Sequence, residues 1–161
     1  MERLWAPWRM TYIASADEVE GCIFCRFPAE DCDEKNLIIF RGDQGFVMLN
    51  AYPYSNGHLM VSPYQHTAEL DNLSDAEMLD MMALTRRAVN LLKTAFRPDG
   101  FNIGINMGRV AGAGIVDHVH IHIVPRWNGD TNFMPVLADT RVIPESLQGV
   151  YARLRATLDS D

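Results

Sequence analysis

The segment His118-Val119-His120-Ile121-His122-Ile123-Val124-Pro125-Arg126 restricts this chain more than any other. Side chains alternate between faces along a strand, so the three histidines fall on one face at intervals of about 6.6 Å, while Val119, Ile121 and Ile123 point into a core. Three of the five histidines of the chain lie within five residues. A buried imidazole needs hydrogen-bond partners, and three neighbours multiply that demand, so core packing alone does not explain the cluster. An exposed polar strand face is the plainest reading. Two chemical readings compete with it. Alternating histidines plus a third ligand make a catalytic zinc site of a metal-dependent hydrolase. Alternatively, a central imidazole with its tautomer fixed through the other ring nitrogen attacks phosphorus, while its neighbours bind the phosphate. The surroundings favour the second. Gly108, Gly112 and Gly114 precede the strand, where small residues let backbone N–H groups approach phosphate oxygens, and no Asp or Glu alternates with the histidines.

The rest of the chain reads as short strands around one long helix. Leu37–Arg41, Phe46–Asn50 and His58–Ser62 predict an antiparallel meander, and Phe101–Asn106 and His118–Val124 add two strands. Ser74-Asp75-Ala76-Glu77 has the form of a capping box, and apolar residues from Met78 to Leu92 recur at helical spacing until Arg97-Pro98-Asp99-Gly100 stops them. The methionines of this helix are expected in the core. A last helix is expected from Pro144, with Leu147, Val150, Tyr151, Leu154 and Leu158 as one stripe, and the stretch through Asp33 reads as irregular. The expected class is α+β, with about five antiparallel strands, one long helix and a C-terminal helix.

Length and charge exclude several classes. The 161 residues, 48% of them hydrophobic, bury one core, so a single domain over 1–161 is expected, divided into an N-terminal segment 1–36 and a core 37–161. With 14 basic against 21 acidic residues the net charge is −7, which argues against non-specific nucleic-acid binding. Three cysteines, Met1–Ile13 without an apolar signal region, and no apolar run of membrane-spanning length point to a cytoplasmic protein with no membrane partner. Cys22-Ile23-Phe24-Cys25 suits a redox pair, two small buried side chains, or half of a zinc site.

His-Val-His-Ile-His-Ile-Val resembles the His-φ-His-φ-His-φ-φ signature of the histidine triad (HIT) superfamily of nucleotide hydrolases and transferases, φ being apolar. Leu49-Asn50-Ala51-Tyr52-Pro53-Tyr54-Ser55-Asn56-Gly57-His58-Leu59-Met60-Val61 is similar to its Asn-x-x-Pro-x-x-x-Gly-His strand pair. Leu4-Trp5-Ala6-Pro7-Trp8-Arg9-Met10-x-Tyr12-Ile13 and Pro125-Arg126-Trp127-Asn128-Gly129-Asp130-Thr131-Asn132-Phe133 resemble the branch of bacterial diadenosine tetraphosphate phosphorylases and hydrolases. The resemblance implies a symmetric homodimer that cleaves dinucleoside polyphosphates, diadenosine tetraphosphate first, at the α-phosphate. His120 would be the nucleophile and His122 would contact phosphate and support proton transfer. Asn50 would hold the ribose, and Asn106 with Gly112, Gly114 and Ile115 the phosphates. Where many members carry Gly-Gln-Ser/Thr, Ala111–Asp117 has neither Gln nor hydroxyl, so backbone amides carry more of the phosphate contact. Cys22, Cys25, His66 and His118 match a structural zinc site, with no organic cofactor. His58 reads as a structural hydrogen-bonding residue. Trp5, Trp8 and Trp127 read as packing or interface residues, Trp127 also lying near a substrate mouth. Arg9 and Arg126 are polyphosphate-neutralising candidates that more ordinarily pair on a surface. A nucleoside phosphoramidate hydrolase and, outside enzymes, an adenine-nucleotide sensor are the alternatives.

Overall fold

The computed structural model describes residues 21–131 and 142–160; the Leu4–Ile13 motif with Trp5, Trp8 and Arg9, and the Asn132-Phe133 end of the closing motif, lie outside them. Helix α1 (Ile23–Ala29) is followed by strands β1 (Ile38–Arg41), β2 (Gly45–Leu49) and β3 (Leu59–Pro63), helix α2 (Asp75–Phe96), strands β4 (Gly100–Ile105) and β5 (Ile121–Arg126), and helix α3 (Leu147–Leu158). The five strands form one antiparallel sheet in the order β1-β2-β3-β5-β4. The α+β expectation is borne out.

Register sorts the residues onto two faces. Val47, Val61, Ile121 and Ile105 form one row across the sheet, and Leu49, Leu59 and Ile123 the next. Both rows face α2, whose buried stripe Met81, Leu84, Thr85, Ala88, Leu91, Leu92 has helical spacing, and α3 closes this core with Val150, Tyr151 and Leu154. The opposite face carries the row Ile38, Met48, Met60, His122, Gly104, covered in part by Phe24 of α1.

The capping box at Ser74 and Glu77 is formed in full, Ser74 Oγ accepting the Glu77 N–H and the Glu77 carboxylate accepting the Ser74 N–H. Four local expectations need correction. The stretch before Asp33 contains α1. Of the early α2 methionines only Met81 is buried; Met78 and Met82 are 38% and 57% exposed, Met82 standing about 100° around the helix from Met81. Helix α3 starts at Leu147 rather than Pro144, because Ser146 Oγ accepts the Gly149 N–H at 3.1 Å and caps it. The histidine strand begins at Ile121, not His118. Its predecessor in the ladder ends at Pro63, which has no N–H to donate, and the Val119 N–H goes to the Thr67 carbonyl at 2.7 Å. Alternation nonetheless continues upstream, with Val119 in the α2-side core.

Candidate active site and metal group

His118, His120 and His122 are 0%, 4% and 9% exposed, which removes the exposed-face reading. Each imidazole has one nitrogen engaged by a different partner, and that partner sets which of the two nitrogens carries the proton. His118 Nε2–H donates to the Pro63 carbonyl at 2.9 Å, leaving Nδ1 with its lone pair. That Nδ1 lies 3.3 Å from Cys22 Sγ, 3.6 Å from Cys25 Sγ and 3.3 Å from His66 Nδ1, while Cys25 Sγ is 3.3 Å from His66 Nδ1. All four donor atoms fall within 4.8 Å of one another, and the group could hold a metal ion. Burial, with smaller contributions from His66 and His120, pushes His118 below its ordinary value, so it is a neutral donor. Cys32 is exposed and outside the group.

His120 Nδ1–H donates to the His118 carbonyl at 2.9 Å, so the Nε2 lone pair is available. Burial pushes His120 down, against the opposing pull of that carbonyl, and the Phe24 ring packs 4.6 Å from the imidazole, centroid to centroid. His122 has the reverse arrangement. His58 Nδ1 accepts the Tyr54 N–H at 3.1 Å and faces Asn50 Nδ2 at 3.4 Å, so the His58 proton is on Nε2 and is donated to His122 Nδ1 at 3.0 Å. His122 therefore carries its own proton on Nε2. Two rings 4.7 Å apart and roughly edge to face present opposite chemistry, one a lone pair and the other an N–H.

A cavity of about 800 Å³ lies on the sheet face that carries Met48 and Met60, beside the histidines; neither His120 nor His122 is in its wall. Met48 and Met60 line it, Met60 standing opposite His122 in the sheet, and Asn50, Gly114 and Ile115 are in its wall. Cys22 and His66 reach it from the metal-capable group. Asn106, after the end of β4, and Gly112, held at φ 89° after the turn Arg109–Ala111, are not in that wall. Lys35 and Arg109 are, and sequence reasoning missed both because an isolated surface cation carries no spacing signal. Arg126 is bound to Asp130 at 2.6 Å and to Asn102, the surface pairing that an arginine in an acidic chain ordinarily makes.

The HIT domain model matches residues 33–129, more than half of the chain. The chain belongs to the HIT family. This HIT protein is 41% identical over 98% of its length, and 84% of the relative's, to AP-4-A phosphorylase of Mycobacterium tuberculosis (strain H37Rv). It is 35% identical over 67% of its length, and 76% of the relative's, to adenosine 5'-monophosphoramidase hnt1 of Schizosaccharomyces pombe. Among solved structures, a Zn-bound histidine triad family protein from Mycobacterium smegmatis aligns with TM-score 0.62 and 26% identity, covering 93% of each chain. The triad signature and the Asn-to-His strand pair of the HIT protein are thus the segments that build one face: β3 and β5 are adjacent, which brings His58 to His122.

Proposed function

We propose that the chain, read as one HIT domain over 1–161, is a nucleotidyl hydrolase or transferase that cleaves diadenosine tetraphosphate at the α-phosphate, by hydrolysis or phosphorolysis. The observation that carries this reading is the pair of opposite tautomers at His120 and His122. His120 Nε2 attacks the α-phosphorus as the bond to the bridging oxygen breaks. His122 Nε2–H lies beside it to stabilise or protonate that oxygen, and ATP leaves. The adenylyl group is then on His120, and water or inorganic phosphate displaces it, giving AMP or ADP. Burial keeps His120 neutral and nucleophilic near neutral pH. Asn50 is read as the ribose contact, and Gly112, Gly114 and Ile115 with Asn106 as the phosphate segment. Lys35 and Arg109 supply the positive charge a polyphosphate needs in a chain of net charge −7.

The four-residue group is read as structural zinc. Bond lengths of about 2.3 Å to sulfur and about 2.0 Å to nitrogen give tetrahedral S···N edges of about 3.5 Å and N···N edges of about 3.3 Å. Three S···N separations, Cys22–His118, Cys25–His66 and Cys25–His118, are 3.3–3.6 Å and the N···N separation is 3.3 Å, with all four donor atoms within 4.8 Å of one another. When bound, zinc would neutralise two thiolates and tie α1 to the segment before β5. Cys22, Cys25, His66 and His118 would hold it, and neither His120 nor His122 is in the group. A homodimer is proposed because β4 is one of the sheet's two edge strands and Ile103 on it, 49% exposed, extends an otherwise buried apolar row. A reducing, cytoplasmic setting suits the free cysteines; no described helix is long and apolar enough to cross a membrane, and neither nucleic acid nor membrane is proposed as a partner.

The test is incubation with diadenosine tetraphosphate and, separately, with an adenosine phosphoramidate, with and without inorganic phosphate. ADP formed only with phosphate identifies phosphorolysis, and AMP without it hydrolysis. Turnover of the phosphoramidate alone moves the assignment to that substrate, and binding without turnover refutes the enzymatic reading.

A further inference from the structure

Phe24 stands between Cys22 and Cys25 in the sequence and is 0% exposed in the cluster that underlies the histidine face. Its ring centroid is 4.6 Å from His120 and 5.3 Å from His118. The two flanking cysteines place their sulfurs 3.3 and 3.6 Å from His118 Nδ1, and the Cys25 and Arg26 N–H groups both donate to the Cys22 carbonyl, which fixes the first turn of α1. One short helix therefore reaches His118 with its thiols and His120 with its phenyl ring.

The hydrogen bond from His120 Nδ1 to the His118 carbonyl chooses the tautomer but does not fix the ring's plane. The terminal torsion of histidine is broad, so a single acceptor leaves the imidazole able to swing and carry Nε2 sideways. Two rings restrict that swing: Phe24 on one side and His122, at 4.7 Å and 68°, on another. A fully buried phenyl offers no surface to substrate, so its contact is with the imidazole itself. Displacing a reacting atom by about 1 Å costs on the order of 100-fold in rate.

We propose that Phe24 is a positioning residue that holds His120 in the attacking orientation, and that metal binding by the Cys22–Cys25 pair keeps Phe24 seated. The proposal rests on reading His120 as the nucleophile.

The test uses the full-length, metal-loaded protein and the series Phe24→Leu, Phe24→Val and Phe24→Ala, measuring kcat and KM for diadenosine tetraphosphate, metal stoichiometry and thermal unfolding. Phe24→Ala is expected to lower kcat by about 30- to 100-fold with KM changed less than about threefold, at unchanged metal content, and Phe24→Leu to recover to within about fivefold. Removing the metal from the wild type should lower kcat with KM held, and removing it from Phe24→Ala should add less than about twofold, because the two perturbations share one path. Wild-type kcat in a folded Phe24→Ala variant overturns the proposal. So does a rise in KM at constant kcat, or losses from metal removal and substitution that multiply. If the alanine variant does not fold, the graded order Phe, Leu, Val decides, and a flat series refutes the proposal. His120→Ala separates the underlying reading: retained turnover there removes the nucleophile assignment, whatever the Phe24 series gives.

Discussion

Replacing His58 by alanine would separate proton donation from scaffolding. The substitution takes away the donor to His122 Nδ1 and the acceptor of the Tyr54 N–H, and it leaves a void in a fully buried position. Losing these hydrogen bonds costs about 1–3 kcal/mol, and with the void the total comes to about 3–5 kcal/mol. Domains of this size are stable by about 5–15 kcal/mol, so the variant should fold with a lowered melting temperature, and rates must be taken well below it. The kinetic effect follows from the tautomer. Without the His58 N–H, His122 is free to place its proton on Nδ1 and lose its donor toward the leaving oxygen. A positioned proton donor contributes about 10²- to 10⁴-fold when the leaving group needs a proton, and little when it does not. The assay compares aryl esters of AMP. With phenol, whose pKa is about 10, as leaving group the variant should lose about 100-fold or more in kcat/KM. With nitrophenol, which departs as a stable anion, the loss should stay under about tenfold. His58→Gln, which can offer an amide N–H to His122, should recover part of the phenyl-ester rate and so narrow the gap between the two esters. Equal losses for both esters would refute the relay and leave His58 as packing.

Further outcomes test the other parts of the site. Because burial lowers His120, it is neutral above its lowered pKa, so kcat/KM should hold steady as pH falls through about 6.5 and decline only below; a limb at or above that value in a pH–rate profile contradicts the assignment. The same shift, shared by His118, means that unfolding takes up protons below about 6.5, so the metal-free protein should lose stability as pH falls through that range, read by denaturant midpoints. A Cys22→Ser, Cys25→Ser double variant should lose bound zinc, whereas stoichiometric zinc in it would refute the ligand set. Arg109→Ala should reduce kcat/KM for diadenosine tetraphosphate by about tenfold and leave an adenosine phosphoramidate within about twofold, since the second substrate carries no distal phosphates; equal losses would place Arg109 outside charge recognition.

How much of this was legible beforehand differs by residue. Alternation at 118–124 announced a two-faced segment, and Val119, Ile121 and Ile123 are buried on the α2 side as that period requires. The capping box located the start of α2 because its two hydrogen bonds are local. Helix α1 was missed because seven residues containing a proline carry little periodicity; it is held by what Phe24 and the cysteines touch far along the chain. The start of β5 was misplaced because strand pairing depends on the partner, and nothing in 118–124 reveals that β3 ends in proline. His58 was read as a hydrogen-bonding residue, yet its direction of donation toward His122 required the Tyr54 N–H to be seen. Lys35 and Arg109 meet at one cavity only after folding, so no spacing could have singled them out.

The three triad imidazoles also differ in what inheritance can change. Two of them take their tautomer from main-chain oxygens, those of Pro63 and His118, which no side-chain substitution can delete. The third takes it from His58, a side chain that one codon change removes. On the proposed roles, the tautomers of His118 in the metal-capable group and of the proposed nucleophile His120 are therefore buffered against drift at their acceptors, whereas that of the proposed proton donor His122 is exposed to it. Descendants of such a chain that abandon leaving groups requiring a proton would be free to lose His58 first, and those that keep them would not.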